Sequence, residues 1–106
     1  MENSKFLSLL GLCRKSGSVI LGTDLVTKAL PSNKVKVVFY TSDSSENTKR
    51  KLIFKCDGSN VACVFVDLDG ESVAKALGLN GRVCVFGITN DNFAKQLLLL
   101  TGNTLS

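Results

Sequence analysis

The residues best suited to contact a partner lie in the stretch SVILGTDLVTKAL, residues 18–30. A short apolar run meets Gly22, and an amphipathic helix pattern begins at Thr23. Gly22 has no side chain to block an approaching molecule, and the first N–H groups of a helix lack intrahelical acceptors, which favours an anion such as phosphate. Lys28 follows in the helix and could donate to guanine O6 and N7. The stretch therefore predicts a nucleic-acid contact in which the junction holds a phosphate and Lys28 reaches a base edge.

The helix in this stretch has one polar face. At about 100° per residue, Asp24, Thr27 and Lys28 fall on one side, and four apolar residues between 25 and 30 fall on the other. A purely structural interpretation is that Thr23 caps the helix, Gly22 makes a turn and the polar face is simply hydrated. Because Thr23 can supply the cap, we expect ordinary backbone geometry at Gly22.

Positive charge is concentrated in the first part of the chain. Residues 1–60 hold ten basic and five acidic side chains, whereas the remainder holds three and four, which suggests an anionic partner, nucleic acid first. Lys49 and Arg50 come early in a predicted helix, where cations oppose the helix dipole unless an anion is near. They are candidates for phosphate contacts or belong to a solvated helix face. Arg14 and Lys15 end the first predicted helix, where cations suit the dipole, and are included as RNA-contact candidates because they precede Gly22 closely.

The acidic residues and cysteines show no pattern typical of a catalytic or metal site. Asp67, Asp69 and Glu71 could bind Mg²⁺ at a strand end, but Asp69 and Glu71 also suit the start of a helix. The four cysteines form no C-x-x-C pair, the chain has no histidine, and no serine or cysteine lies in a recognisable activated setting. We therefore expect no catalytic residue, metal, cofactor or small-molecule substrate.

Composition indicates an ordinary globular protein. The length of 106 residues fits one domain, residues 1–106, with 44% hydrophobic and 21% charged residues. No apolar run approaches the roughly 18 residues of a membrane helix, and the N-terminus lacks a signal-peptide pattern. Each cysteine lies in or beside an apolar run, which is typical of reduced, buried thiols. We expect a monomeric cytoplasmic protein without a membrane partner.

Helix and strand patterns alternate along the chain. Nearly continuous apolar runs after residue 34 predict strands buried on both faces, and the helices between them would cover both sides of the sheet. The predicted fold class is α/β, a three-layer α/β/α sandwich with a four-stranded mixed sheet. Pro31 should push Leu30 out of helical geometry and end the second helix. The predicted helices are 3–17, 23–30, 44–56, 69–78 and 90–102, and the predicted strands are 18–21, 34–41, 61–66 and 82–88. The expected caps and stops are Asn3 or Ser4, Gly17, Ser44 or Ser45, Asp69, Gly78, Asn90 and Gly102.

Three stretches of the chain resemble a known family. RKSGSVILGTDLVTKAL, KVKVVFYTSDSSENTKRKL and VAKALGLNGRVCVFGITNDNFAKQLL are similar, in this order, to the kink-turn-binding ribosomal proteins of the L-seven-Ae and L-thirty-e type, in particular to the bacterial YlxQ-like branch. The similarity covers about Lys5 to Leu100. It implies an α/β/α sandwich, in agreement with the pattern of elements, and binding to structured RNA.

The resemblance also implies site residues. The family carries Gly-Thr-Asn-Glu, two further residues and Lys, which contact the tandem sheared G·A pairs of a kink-turn. Gly22, Thr23 and Lys28 match this element, whereas Asp24 replaces asparagine and Leu25 replaces glutamate. Aspartate accepts but does not donate hydrogen bonds, and leucine does neither, so we expect Leu25 to pack inward or to make an apolar contact.

A second contact implied by the family is the loop before the final strand, residues 78–83. Small and apolar residues of this loop pack against an extruded base in the family. Here Gly81 would let the backbone approach RNA, Arg82 could stack on a base or pair with phosphate, and Val83 completes the loop. A helix stop and a turn explain the glycines equally well.

Two functions from different classes follow. The first is a small non-catalytic RNA-binding protein that recognises kink-turn-like or other structured RNA and is associated with the ribosome or translation. The alternative is a protein-interaction module that kept the fold but lost strict kink-turn binding. A small nucleotide-binding enzyme is a remote third class, because the glycine pattern matches neither G-x-G-x-x-G nor the P-loop motif.

Overall fold

The chain alternates helices and strands, as the sequence predicts. A computed structural model describes residues 3–102, and within them it has five α-helices, one short 3₁₀-helix and four strands. In chain order these are α1 (Asn3–Lys15), β1 (Val19–Leu21), α2 (Thr23–Ala29), the 3₁₀-helix (Leu30–Ser32), β2 (Val37–Thr41), α3 (Glu46–Gly58), β3 (Ala62–Val66), α4 (Gly70–Ala76), β4 (Val85–Ile88) and α5 (Asp91–Leu100).

The four strands form one mixed sheet in the order β1-β4-β2-β3. β4 pairs antiparallel with both β1 and β2, while β2 and β3 are parallel. The expectation that every strand after residue 34 is buried on both faces holds for β2 and β4, but it is wrong for β3. β3 lies at the edge of the sheet, and Phe65 in it is 46% exposed.

Two apolar clusters lie on opposite faces of the sheet, because successive side chains of a strand point to opposite sides. On one face, Phe6 and Leu10 of α1 and Leu97 of α5 pack with Phe39 and Phe86 of the central strands. The rings of Phe39 and Phe86 stack with centroids 5.4 Å apart. The second cluster is formed by buried residues of α2, the 3₁₀-helix, α3, the segment before β2 and the opposite sheet face: Val26, Leu30, Val35, Val38, Leu52, Cys56 and Val85. The predicted three-layer α/β/α sandwich is confirmed.

The end of α2 differs from the sequence prediction. Leu30 keeps helical backbone angles, φ −54° and ψ −45°, and its N–H donates to the Val26 carbonyl. Leu30 is also buried, so packing holds it in place despite Pro31. Pro31 lies in the first turn of the 3₁₀-helix, where its missing N–H is not needed.

Two strands begin later than predicted. β4 starts at Val85 because the N–H of Val83 donates to the carbonyl of Gly70 in α4, at 2.9 Å, and not to a strand. β2 starts at Val37, which pairs with the last residue of β4, Ile88. Arg82 and Val83 therefore belong to a loop.

Most predicted caps and stops are confirmed. The side chains of Ser45, Asp69 and Asn90 accept hydrogen bonds from the third residue of α3, α4 and α5 respectively. Gly17 and Gly78 have φ of +75° and +73° just after α1 and α4, which is the left-handed geometry that ends helices. Asn3 and Ser4 lie inside α1, so neither flanks the helix as a cap.

Cys13 and Cys56 are buried, whereas Cys63 and Cys84 are half-buried, and all four thiols are free. The expectation of buried cysteines is therefore correct for two of the four. No helix between residues 3 and 102 is both long enough and apolar enough to cross a bilayer.

Candidate nucleic-acid interface

The sheet topology brings the Gly22 junction and the loop before β4 to the same end of the sheet. β1, β2 and β3 terminate at this end, whereas β4 begins there, because it runs antiparallel to β1 and β2. The Gly22 N–H donates to the carbonyl of Val85 at 2.9 Å, which ties the end of β1 to the start of β4. Two segments that are far apart in the sequence thus become neighbours.

A groove of about 380 Å³ lies between these segments. Gly22 and Thr23 line one side, Arg82 and Val83 line another, and Thr48 of α3 contributes as well. Four of the residues predicted to contact RNA therefore border one concave surface. The groove is completed by Leu21, Asp43, Ser44, Ser45, Cys84 and Val85.

The expected ordinary geometry at Gly22 is wrong. Gly22 has φ +89° and ψ 154°, a combination that only glycine adopts readily. Gly22 is itself the residue that precedes α2, and Thr23 is the first helical residue, so the predicted Thr23 cap is also wrong. No side chain caps this helix. Because the Gly22 N–H is bonded to Val85, that group is not free to hold a phosphate.

The polar face of α2 also differs from the helical-wheel prediction. The Thr27 hydroxyl donates to the carbonyls of Thr23 and Asp24, at 2.9 and 3.1 Å, so it is bonded to its own helix. Leu25 is 60% exposed, and the expectation that it packs inward is wrong. The outward face of α2 therefore presents Asp24, Leu25 and Lys28.

Lys28 is exposed and has no ion pair or hydrogen bond to any side chain in the described part of the chain. Asp24 is more constrained, because the Lys51 ammonium of α3 lies 3.9 Å from its carboxylate. Both side chains of this pair are largely in water, so the pair contributes little to stability. The Lys28 ammonium is therefore available to a partner beside the junction.

Leu25 and Lys28 border a second, mostly apolar groove of about 580 Å³ on the outer side of β1. The remaining lining residues are Val19, Ile20, Leu21 and Ala29. β1 is an edge strand, so this groove is open to a partner along its length. Its apolar side chains offer van der Waals contact, while Lys28 and the unpaired backbone groups of β1 can hydrogen-bond to a partner.

Asp43 organises the loop side of the first groove and was not identified from the sequence. Its carboxylate accepts hydrogen bonds from the Thr41 hydroxyl at 2.6 Å and from the Gly70 N–H at 3.0 Å. The Arg82 Nε lies 3.8 Å away, and the Cys84 thiol 3.7 Å away. In the sequence, Asp43 is marked only by the polar run that follows β2, and such a run is typical of any loop.

These donors stabilise the charged form of Asp43. The Thr41 hydroxyl is the largest cause, and the Gly70 N–H and Arg82 add to it, so the pKa of Asp43 lies below its ordinary value although burial acts in the opposite direction. Because the Arg82 side chain is largely in water, its ion pair with Asp43 contributes little to stability. The Arg82 side chain remains 68% exposed and available to a partner.

Close packing fixes the backbone beside Asp43. A Cβ added to Gly70 would lie 2.8 Å from the Cys84 sulfur and 3.3 Å from the N of Val83. Only glycine lets the start of α4 approach the loop before β4 this closely. Gly81, with φ +84°, makes the turn that leads into Arg82.

The remaining predicted cations lie in different places. Lys49 is partly buried, and its ammonium lies 3.5 Å from the carboxylate of Glu46. Arg50 is exposed on α3. Arg14 and Lys15 precede β1 while Gly22 follows it, and they line a separate groove of about 840 Å³ together with residues of α4. There the Arg14 guanidinium donates to the carbonyl of Leu77.

One of the three carboxylates considered for Mg²⁺, that of Asp69, has a structural role. Asp69 caps α4, and the Ser72 hydroxyl, at 2.6 Å, is the largest cause of the lowered pKa of Asp69. Among residues 3–102, no three Cys, Asp, Glu or His side chains gather in a group that could hold a metal ion.

Comparison with known sequences identifies similar proteins. The family described as ribosomal protein L7Ae/L30e/S12e/Gadd45 matches residues 4–98. Two curated relatives carry the name RNA-binding protein YlxQ. The Enterococcus faecium protein is 34% identical over 95 residues, which cover 90% of this chain and 89% of the relative. The Bacillus subtilis (strain 168) protein is 32% identical over 101 residues, which cover 94% of this chain and 98% of the relative.

Solved structures share the fold. A protein of unknown function from Bacillus halodurans C superposes with a TM-score of 0.86 at 31% identity, covering 93% of this chain and 98% of the other. The 15.5kD RNA binding protein of Giardia lamblia superposes with a TM-score of 0.75 at 16% identity, covering 94% and 84%. At that identity the second likeness shows a common fold alone.

Proposed function

The chain belongs to the ribosomal protein L7Ae/L30e/S12e/Gadd45 family, and we propose that it is a non-catalytic RNA-binding protein that recognises kink-turn-like or other structured RNA. The two curated relatives named as RNA-binding proteins, both above 30% identity across most of the chain, support this proposal. So does the excess of positive charge in residues 1–60.

One observation carries the proposal. The junction at Gly22 and Thr23 and the loop at Arg82 and Val83 border the same groove, although the chain separates them by most of its length. These are the two segments that the family resemblance implies as RNA contacts. A surface of this kind can hold the two sides of a sharply bent RNA, because each segment approaches from a different part of the fold.

Each residue has a distinct role in the proposed contact. Gly22 leaves space, since nothing lies within 4 Å of the position where a side chain would start. Lys28 donates to base edges, as lysine commonly does to guanine O6 and N7. Arg82 stacks on a base or pairs with a phosphate from the other side of the groove.

Binding of a structured RNA is tested with an RNA that contains tandem G·A pairs and a control in which these become Watson–Crick pairs. We expect the chain to bind the first RNA more tightly. Lys28→Ala should then weaken binding by about 1–3 kcal/mol, which is roughly 5- to 150-fold, because a base contact is lost.

The matched control is Lys95→Ala, since Lys95 is also exposed but lies on α5, and both variants remove one positive charge. Lys95→Ala should leave the affinity unchanged. Equal losses in the two variants would mean that only net charge attracts the RNA, and the assignment of the site would be wrong.

A specific observation favours the alternative of a protein-interaction module. Leu25 stands where the family resemblance implies a glutamate, is 60% exposed and borders the apolar groove beside β1. Salt dependence distinguishes the two functions. RNA affinity should fall steeply with added salt, by somewhat less than one log unit per phosphate contact for each log unit of salt, whereas an apolar protein contact should respond little.

The proposal extends to the cellular setting of the protein. We propose that it acts as a monomer in the cytoplasm, in association with the ribosome or translation. Its four free cysteines are consistent with a reducing compartment.

A further inference from the structure

Phe54 is the most exposed large apolar residue in the described part of the chain. It lies on α3 with 77% of its surface in water. The buried face of α3 is formed by Leu52 and Cys56, and helix geometry places Phe54 about 160° away from Leu52. Packing within the chain therefore does not account for an aromatic ring at this position.

Cations surround this ring. Arg50 lies one turn before Phe54, Lys51 three residues before it, and Lys55 next to it. Asp57 is the one acidic side chain within a turn on the same side, so the charge balance is positive. Neither Arg50 nor Lys55 has an ion pair among residues 3–102, and Lys51 makes only the long surface pair with Asp24.

We propose that this Phe54 face, formed by Arg50, Lys51, Phe54 and Lys55, binds an unpaired segment of RNA. A base stacks on the Phe54 ring, and the three cations contact the phosphates on either side. Exposed aromatic rings between basic residues are the typical platform for single strands, because every base has a flat apolar face and every nucleotide a negative charge. A paired duplex cannot use this platform, since its bases are already stacked on one another.

The Phe54 face is separate from the groove at Gly22. Thr48 lines that groove from α3, and it lies about 120° around the helix from Phe54. An RNA whose structured part occupies the groove can therefore extend a single strand around α3 to reach Phe54. The proposal deepens the proposed function and rests on it only in taking RNA as the partner.

A fluorescence experiment detects the stack directly. The chain has no tryptophan, so Phe54→Trp introduces a sole indole at the ring position. A short oligoadenylate RNA should quench its emission, because direct stacking contact with a base quenches the fluorescence of an indole. The matched control is Leu99→Trp, which puts an indole at another exposed apolar position, 67% exposed and on α5. The control should not be quenched.

An affinity measurement separates this surface from the groove. The RNA with tandem G·A pairs is compared with the same RNA carrying a single-stranded oligoadenylate tail. We expect the tail to raise the affinity about tenfold, the effect of one stacked base. Phe54→Ala and Phe54→Leu should remove most of that gain and leave the affinity for the untailed RNA unchanged, whereas Phe54→Trp should keep it.

The outcomes are distinct. Quenching and a tail effect without recognition of the G·A pairs would support the Phe54 face and refute the proposed recognition of kink-turn-like RNA. If Phe54→Trp shows no quenching and Phe54→Ala leaves the tail effect intact, the Phe54 face does not bind RNA. A blue shift of the indole emission that rises with protein concentration, together with dimers in sedimentation equilibrium, would show a protein interface there and overturn the proposal.

Discussion

Replacing Gly22 with alanine should destabilise the protein through the backbone alone. Gly22 has φ +89° and ψ 154°, and a Cβ there would meet nothing within 4 Å. The cost is therefore strain without a clash. A non-glycine residue forced into this region of backbone angles lowers the free energy of unfolding by about 1–3 kcal/mol. At roughly 4–8 °C per kcal/mol for a chain of about this size, the melting temperature should fall by about 5–20 °C.

The matched control is Gly58→Ala. A Cβ at Gly58 also meets nothing within 4 Å, but its φ is not positive, because it is the last residue of α3. Alanine there should be neutral or stabilising by up to about 1 kcal/mol, since it reduces the freedom of the unfolded chain. The difference between the two variants isolates the contribution of the backbone angle at Gly22.

Thermal unfolding followed by circular dichroism measures both variants. Hydrogen exchange adds a local readout at the junction. The N–H of residue 22 donates to the Val85 carbonyl, so it should exchange faster in Gly22→Ala, where the junction distorts, than in Gly58→Ala, where the junction stays intact. A Gly22→Ala protein as stable as Gly58→Ala would refute the argument, since alanine would then occupy the junction without strain.

Three further predictions concern recognition, acid stability and thiol chemistry. Asp24→Asn combined with Leu25→Glu should strengthen binding to the G·A-containing RNA, because it restores the hydrogen-bonding groups implied by the family; unchanged affinity in a folded variant would show that this chain contacts RNA differently. Asp43→Ala should cost about 1–3 kcal/mol near neutral pH. Because the pKa of Asp43 is lowered in the folded state, its stabilisation is present above the unfolded value near pH 4 and disappears as the pH falls through the folded value, so denaturant midpoints of the variant and the parent should converge in acid. Iodoacetamide at neutral pH should modify half-buried Cys84 well before Cys13, as mass spectrometry can measure, because burial raises the pKa of Cys13 to about 11.

Apolar spacing was sufficient to locate the elements. Phe6, Leu10 and Cys13 recur at helical intervals and are all buried on one face of α1. Ser45 and Asp69 were identifiable as caps because a short polar side chain before an apolar helical pattern bonds locally, to the backbone three residues on. These features depend on residues that are close together in the chain, so they can be predicted from the sequence.

Part of the site was also accessible from the sequence, through motif residues. Gly22, Thr23 and Lys28 were identified by their order, and Arg82 and Val83 by the third stretch of family resemblance. That the two segments border one groove depends on β4 lying between β1 and β2. Strand order is a property of the whole sheet, and no local pattern encodes it.

The tertiary structure alone decided the details on which recognition depends. Gly22 combines a positive φ with an N–H that donates to Val85, a partner distant in sequence. Leu25 is exposed because no other element covers that side of α2, although its type suggested burial. Asp43 lies beside Arg82 only because Thr41 and Gly70 bind its carboxylate at this end of the sheet. Short-range periodicity thus determined the helices and strands, whereas long-range hydrogen bonds and the arrangement of the sheet determined which residues face a partner.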